Sequence, residues 1–469
     1  MRLLNSLAVI AALGLAAPAS AELVFPSLDY RTGAYAPNGI PFADGYADYF
    51  TLVNERDGGI GGVEARVLPC ETGYDTEKGV ECYESTKGEG ALVYQPLSTG
   101  ITYQLIPKAS ADGIPIHSMG YGRTSAANGE IFEWVFNYPG TYWDAASVIV
   151  KHILEQEGGD LSGKKLALVY HNSAYGKEPI RTLEELAEKH GYQLQLLPVD
   201  HPGQEQKSTW LQVRSEQPDY VIMWGWGVMN QVAIQEAASI RYPMDHFIGV
   251  WWSASENDTL PAGSGADGYK AIAMHAVGDE FGVYEDLKTH VYDKGLSAGA
   301  GDQHGNVLYN RGMLAAMLAV EAAKTAQEIH GTADITAEQM RDGMEALSMS
   351  EAKLEELGFG GFIPPFEVSC QDHGPPGHGA IQQWDAEAKE WTLVTDFIAP
   401  DEEIIQPLID EDSTAYAQEA GIEPRECEEL AAEGMEEPSA EESMEEPAAE
   451  ESMEEPAAEE GEGATESAD

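Results

Sequence analysis

The sequence predicts an α/β protein of two doubly wound lobes, each a parallel sheet with helices on both faces. Three observations carry this. Short apolar runs of strand length alternate with helical patterns from about Leu23 to Ala399, and such alternation covers both faces of a parallel sheet with helices. The alternation restarts after Trp143, so there are two units in succession. The chain has 469 residues, enough for two domains of ordinary size.

Residues 1–21 read as an export signal. Met1-Arg2 gives a short basic start, Leu7 to Ala17 is apolar and small, and Ala19-Ser20-Ala21 fits a small-x-small cleavage pattern. The run is too short to span a bilayer. No cysteine follows it to carry a lipid. The mature chain is therefore expected to be exported.

The first unit opens with a strand at Leu23-Val24-Phe25. Pro41 to Asn54 has helical spacing, with Phe42, Tyr46, Tyr49, Phe50 and Val53 on one side. Val63 to Leu68 alternates as a strand, Ala91 to Tyr94 reads as a buried strand, and Ile114 to His117 as a short one. In the second unit Asp144 to Glu155 is helical and Lys165 to Tyr170 is a strand. Ile180 to His190 is a helix closed by Gly191. Tyr220 to Trp224 and Phe247 to Trp251 are strands flanking a helix at Met229 to Ile240. Ala271 to Ala276 is a further strand. Val307 to His330 is a long helix, and another begins near Ala337. Gly358 to Gly379 is rich in Gly and Pro and reads as loop. Ala380 to Thr395 reads as a hairpin.

The end of the chain differs in kind. Met435, Met444 and Met453 each begin a nine-residue unit of the MEEPAAEES type. Dense Glu, regular Pro and no aromatics leave nothing to bury, so residues 428–469 are expected to be a disordered, solubilising acidic tail.

Charge and cysteines narrow the function classes. The chain carries 81 Asp and Glu against 26 Lys and Arg, a formal charge of −55. Sixteen of the acidic residues and none of the basic ones lie between Glu433 and Asp469. Nucleic acid is disfavoured as a partner, because phosphate contact needs clustered cations. Four cysteines in an oxidising compartment suggest two disulfides. Of the three possible pairings, Cys70–Cys82 and Cys370–Cys427 are favoured, the first because it closes a short loop. No CxxC or HxxxH pair supports zinc, and the two imidazoles of the His373–Gly379 loop are too few to make a metal site. There is no GxSxG elbow, P-loop or HExxH. An enzyme is not expected, nor a cofactor.

Several short motifs fall in one order. Asn54 to Gly62 reads NERDGGIGG, Gln95 to Thr99 reads QPLST, and Gly113 to Ile116 reads GIPI. Phe132 to Phe136 reads FEWVF, Tyr170 to Gly176 reads YHNSAYG, and Pro218 to Val221 reads PDYV. In this order they resemble the type I periplasmic binding proteins of the leucine/isoleucine/valine-binding and amide-binding family, over nearly all of residues 23–400. Departures include one extra residue before the glycines of the first motif and Gln95 in place of a glycine. The resemblance implies two lobes joined by three crossovers. Residues 22–143 with 274–357 would form one lobe and residues 144–273 with 358–427 the other. It implies a periplasmic protein, expected to be a monomer, that takes a small-molecule ligand to the membrane permease of an ABC importer. A ligand-sensing receptor subunit of the same fold is the alternative.

Open α/β sheets bind ligands at the carboxyl ends of their strands. The candidates follow from that rule. Tyr35 closes the loop after the first strand. Ser98 and Thr99 follow Ala91 to Tyr94, where hydroxyls and free N–H groups suit a carboxylate and where Ser also caps helices. Met119, Gly120 and Tyr121 follow the GIP strand, with Arg123 beyond them as a structural residue. Tyr175 matches a family binding position. Trp224, Trp226 and Trp252 end strands of the second unit and suggest an aromatic wall for an apolar, aromatic or cationic ligand. Glu256 is placed to receive an ammonium group. The expected ligand is an amino acid, an amide or an aromatic or aliphatic carboxylate.

Overall fold

The computed structural model describes residues 22–299 and 301–427. The export signal and the acidic repeats lie outside the described residues. Strand β1 (Glu22–Asp29) pairs in parallel with β2 (Glu64–Glu71), Glu22 opposite Glu64 and Asp29 opposite Glu71. On its other side, single bridges from Val24 to Ala91 and from Ser27 to Gln95 attach the next segment. A bridge from Tyr94 reaches β3 (Ile116–His117), which pairs with β4 (Val135–Phe136). The expected strand at Ala91 to Tyr94 is thus in place without a continuous ladder. The reason is local: its neighbours across the sheet include Pro26 and Pro115, whose carbonyls accept from Gln95 and Tyr94 but whose nitrogens cannot donate back.

The second sheet has seven strands. β5 (Lys165–His171), β6 (Gln193–Val199), β7 (Tyr220–Trp224), β8 (Phe247–Gly249) and β9 (Lys270–Ala273) run parallel. After the short antiparallel pair β10 (Ser348–Met349) and β11 (Phe366–Glu367), β12 (Ala380–Asp385) and β13 (Glu390–Leu393) form a hairpin. It adds antiparallel to β9, giving the order β13-β12-β9-β8-β7-β5-β6. β5 is buried from Leu166 to His171, which is why its sequence is apolar without alternation. The chain enters the second sheet after Phe136, leaves it after Ala273 for the helix Val307–His330 that packs on the helix Ala36–Asp57, and rejoins it at Ala380.

Two packing details explain sequence features. The helix Val307–His330 lies on the helix Ala36–Asp57 with almost no space between backbones. A β-carbon at Gly312 would sit 1.9 Å from the Phe42 carbonyl oxygen, and one at Gly45 would sit 2.1 Å from that of Tyr309. Asn54 earns its place in the NERDGGIGG turn by clamping β2: its side chain donates to the Ala65 carbonyl at 2.8 Å and accepts from the Ala65 N–H at 2.9 Å.

The disulfides are Cys70–Cys82 and Cys370–Cys427, with Cα separations of 5.8 and 5.6 Å. The helix Ala36–Asp57 begins five residues before the expected Pro41, because Pro37 fits the first turn. The expected strand Phe247 to Trp251 ends at Gly249, and Trp251–Ser253 folds into a tight turn. A helix at Glu402–Ala420 was not expected. Pro407 and its many carboxylates disguise it, and Ile405, Leu408 and Ile409 bury its apolar face. Among the described residues, no helix is long and apolar enough to cross a membrane.

Candidate functional site

The carboxyl ends of both sheets meet around a small cavity with no more than about 220 Å³ of empty space. Most of that is gaps between the lining atoms; a water's centre can move in only about 10 Å³ of it, about enough for one water, so the walls are nearly in contact. From the first sheet, β1 runs into Tyr30, β2 into the turn that carries Tyr74, and the Ala91–Gln95 segment into Leu97, Ser98 and Thr99; the loop after β3 brings Tyr121. From the second, β5 leads to Tyr175, β7 to Trp226 and β8 to Trp252, while Tyr142 opens the helix Tyr142–Gln156.

The rings form a continuous wall. Trp226 and Trp252 meet edge to face at 5.3 Å between centroids, and Tyr30 meets Trp226 the same way at 6.0 Å. Tyr30 and Tyr74 are 5.1 Å apart, and Tyr142 and Tyr175 5.4 Å. Such pairs add attraction beyond the area they bury.

Several polar ends of these rings are committed to the protein. The Tyr121 hydroxyl accepts from the Leu97 N–H at 3.0 Å and donates to the His117 carbonyl at 3.1 Å. That bond holds Leu97 in the left-handed region at φ 48°, a conformation a leucine adopts only when its surroundings impose it. The Tyr175 hydroxyl donates to the Gly225 carbonyl at 2.7 Å, and the Trp252 indole to that of Gly120 at 2.6 Å. Ser98 caps the helix Thr99–Asp112, accepting from the Ile101 N–H at 3.4 Å. Thr99 accepts from the Gly122 N–H at 3.2 Å. The first-turn N–H groups of that helix have no acceptor within the helix and lie beside the cavity. Burial pushes the hydroxyls of Tyr30, Tyr74, Tyr121, Tyr142 and Tyr175 above the usual tyrosine value, so all are neutral at physiological pH.

Of the residues expected from sequence, Ser98, Thr99, Tyr121, Tyr175, Trp226 and Trp252 come together here. The others stand outside the lining. Tyr35 packs on Tyr74 at 4.4 Å and bonds His171 Nε2 at 2.9 Å, one layer out. Met119 is wholly buried. Gly120 offers only its carbonyl, shared by the indoles of Trp251 and Trp252, and a β-carbon there would strike Met274. Trp224 is on β7 itself, buried behind the wall and edge-on to Tyr142 at 5.7 Å. Trp224 is still within the strand and packed into the sheet, whereas Trp226, two residues on, has left the strand for the loop that reaches the cavity. Glu256 accepts from the Val307 N–H at the start of the long helix, 3.3 Å from each oxygen, and is not available to a ligand ammonium. Arg123 is structural, paired with Asp412 at 2.6 Å. His373 stacks on Phe136 at 3.9 Å and bonds the Val135 carbonyl at 3.0 Å.

Tyr30, Tyr74, Leu97 and Tyr142 escaped the sequence reading. Tyr30 and Leu97 sit in loops already singled out, so asking which ring of Asp29–Tyr35 comes first after the strand would have found Tyr30. Tyr74 and Tyr142 belong to a turn and a helix start that carry no comparable signal.

A protein-family model described as periplasmic binding protein matches residues 23–389. A search of curated proteins found no match. Among solved structures, one described as an ABC transporter permease from the Pseudomonas fluorescens group is 40% identical, with a TM-score of 0.81, covering 87% of this chain and 100% of that one. A branched-chain amino acid ABC transporter from Thermus thermophilus with bound valine is 18% identical, with a TM-score of 0.69, covering 83% and 98%. A solute-binding protein of an ABC transporter from R. palustris, in complex with benzoate, is 17% identical, with a TM-score of 0.64, covering 81% and 97%. The last two likenesses are of fold.

Proposed function

The chain belongs to the periplasmic binding protein family, as a substrate-binding protein of ABC transport, and from that premise we propose that it captures one small molecule in the aromatic cavity and presents it to an importer of the branched-chain amino acid type. The two lobes of that device are residues 22–143 with 274–357 and residues 144–273 with 358–427, joined by three crossovers and closing about a hinge. The protein acts as a monomer in the periplasm, reached by cleavage of residues 1–21.

One observation carries this reading: strand ends of both sheets converge on a single small cavity lined by rings and by the start of the helix Thr99–Asp112. Rings supply broad apolar contact, and a few fixed polar groups set orientation, which is the usual composition of a ligand site. The lining of rings, hydroxyls and helix N–H groups suits an amino acid, an amide or a compact aromatic or aliphatic carboxylate, for which the nearly closed walls must part. The test is native purification of the exported protein, then mass spectrometry of the small molecule it releases on denaturation. One compound in near-stoichiometric amount is expected, and its re-addition should raise the Tm. A chain that retains nothing, and whose melting no small amino acid, amide or carboxylate shifts, refutes the reading.

A further inference from the structure

We infer that the cavity selects a small monocarboxylate that lacks an ammonium group, and that Arg311, beneath the ring of Trp252, sets this preference for negative charge. The inference rests on the reading of the cavity as the ligand site and narrows the ligand class. Three observations carry it.

The first is the charge of the lining, which consists of Tyr, Trp, Leu, Ser and Thr only. An α-amino acid brings an ammonium that must trade water for an anionic partner. The buried carboxylates of the neighbourhood are all engaged elsewhere. Asp258 accepts from the Ser255 N–H at 3.0 Å and from Asn38 at 3.1 Å, Glu178 accepts the hydroxyls of Tyr103 and Thr124, and Asp29 that of Ser27. Glu256 faces Val307. Burial raises all four, Glu256 to about 7 and Asp258 and Asp29 to about 6, so their surroundings oppose the ionised form an ammonium would need.

The second is Arg311. It is fully buried, and its guanidinium carbon lies 4.7 Å from the centroid of the Trp252 ring that walls the cavity. It donates to the Trp251 carbonyl and its Nε lies 3.3 Å from His275 Nε2, while Nη2 has no partner. Among the described residues, no carboxylate oxygen lies within 4 Å of it; Glu256, bonded to the Val307 N–H, attracts it only from farther off. A buried, unpaired cation is costly and raises the affinity of its surroundings for an anion. Tyr142 and Tyr175, both in the lining, lie close enough to interact with it. Burial lowers Arg311 to about 9, which leaves it protonated at neutral pH.

The third is the balance of donors over acceptors. The indole N–H of Trp226 is buried in the wall with the Tyr30 hydroxyl beside it and makes no well-formed hydrogen bond. The first turn of the fourteen-residue helix Thr99–Asp112 adds further donors. Carboxylate oxygens satisfy donors; an ammonium does not. The positive end of that helix reinforces the sign.

The experiment uses the exported protein, dialysed from denaturant and refolded, with matched ligand pairs measured by calorimetry. The pairs are 3-methylbutanoate against valine, 3-phenylpropanoate against phenylalanine, and benzoate against benzamide. At least one carboxylate is expected to bind, and to bind at least about tenfold tighter than its partner. Arg311→Met is expected to shrink the benzoate-to-benzamide ratio about tenfold, and Arg311→Lys to restore most of it, whereas a merely structural arginine would weaken both ligands alike. If Arg311→Met does not fold, the wild-type ratios and Arg311→Lys still decide the ligand class. Amino acids that bind as well as their des-amino partners overturn the inference while leaving the ligand site standing. An unchanged ratio in a folded Arg311→Met overturns the assignment to Arg311. A chain that binds none of the six and retains nothing on purification refutes the cavity as the ligand site.

Discussion

Replacing Trp252 with alanine separates a ring that packs the core from a ring that walls a ligand, and here it should do both. The side chain is 4% exposed and touches Trp226, Tyr121, Phe42 and the Arg311 guanidinium. Truncating a buried Trp costs about 3–5 kcal/mol. The lower half of that range applies, since the site borders a cavity and the Gly120 carbonyl keeps the Trp251 indole at 2.7 Å as donor, so no acceptor is orphaned. With an unfolding entropy of about 2 cal/mol/K per residue over the described chain, a loss of about 3.5 kcal/mol lowers Tm by about 4 °C. Binding should weaken by a further ~1–3 kcal/mol, about 5- to 150-fold, in the manner of a central aromatic anchor. Trp252→Phe keeps a ring over Arg311 and should recover most of the binding but less of the stability. Calorimetric titration and a melting curve on the same samples give both numbers. A Trp252→Ala protein that melts earlier yet binds normally while folded removes this residue from the wall; one that melts as the wild type contradicts its burial.

The remaining predictions concern other parts of the chain. Non-reducing peptide mapping should find Cys70–Cys82 and Cys370–Cys427 and no free thiol. Removing the second bridge, with a sequence separation of 57 against 12, should cost more stability, about 4 against about 3 kcal/mol by loop entropy, read from denaturant titrations. Truncation at Glu433 should leave affinity within about threefold, under ~1 kcal/mol, because the acidic repeats have no apolar surface to bury against the cavity; a tenfold loss shows that they reach it. Glu256 is raised from 4.5 to about 7, so the folded state holds its proton more tightly than the unfolded chain does. The stability this contributes is complete below about pH 4.5 and is lost as the pH rises through about 7. Glu256→Gln should therefore flatten the fall in Tm between pH 5 and pH 8, and an unchanged slope excludes Glu256 as its source.

Periodicity made most of the fold legible. β7, the helix Ile180–His190 and the helix Val307–His330 have the bounds that apolar pattern and capping glycine mark. Where the reading failed, tertiary context decided. β6 is a half-exposed edge strand of mixed Gln and Leu, and its pattern gains meaning only beside β5. The helix Glu402–Ala420 is acidic on three sides and is held by the surface it covers, through the ion pair of Asp412 with Arg123. The site was legible at residues just past strand ends such as Ser98, Tyr121 and Trp226, although Tyr30, directly after β1, was passed over for Tyr35. It was not legible where a ring arrives from a turn or a helix start, as Tyr74 and Tyr142 do, because nothing in a linear pattern says which turns converge.

Beside the lining contacts that cross between the walls, Tyr30 on Trp226 and the Trp252 indole on the Gly120 carbonyl, a second set of ties lies outside the cavity. Tyr35 bonds His171, Asn38 bonds Ser255 and Asp258, and Asn257 bonds the Pro37 carbonyl. Tyr103 and Thr124 bond Glu178, and Arg311 bonds the Trp251 carbonyl. Each such bond is worth about 1 kcal/mol net, and none of these outer ties involves a lining ring. A ligand shifts an equilibrium between open and closed forms only by the difference in its affinity for them. A molecule in this cavity gains that difference from Tyr30, Tyr74 and Thr99 on one side and Tyr175, Trp226 and Trp252 on the other, since it touches both sets only when they meet. Substitutions among the ties should therefore scale the affinity for every ligand by one factor, whereas substitutions in the lining should reorder the ligands. Arg311 stands behind the lining, bonded to the Trp251 carbonyl and stacked under the ring of Trp252, so its substitution should reorder ligands by charge rather than scale them all by one factor.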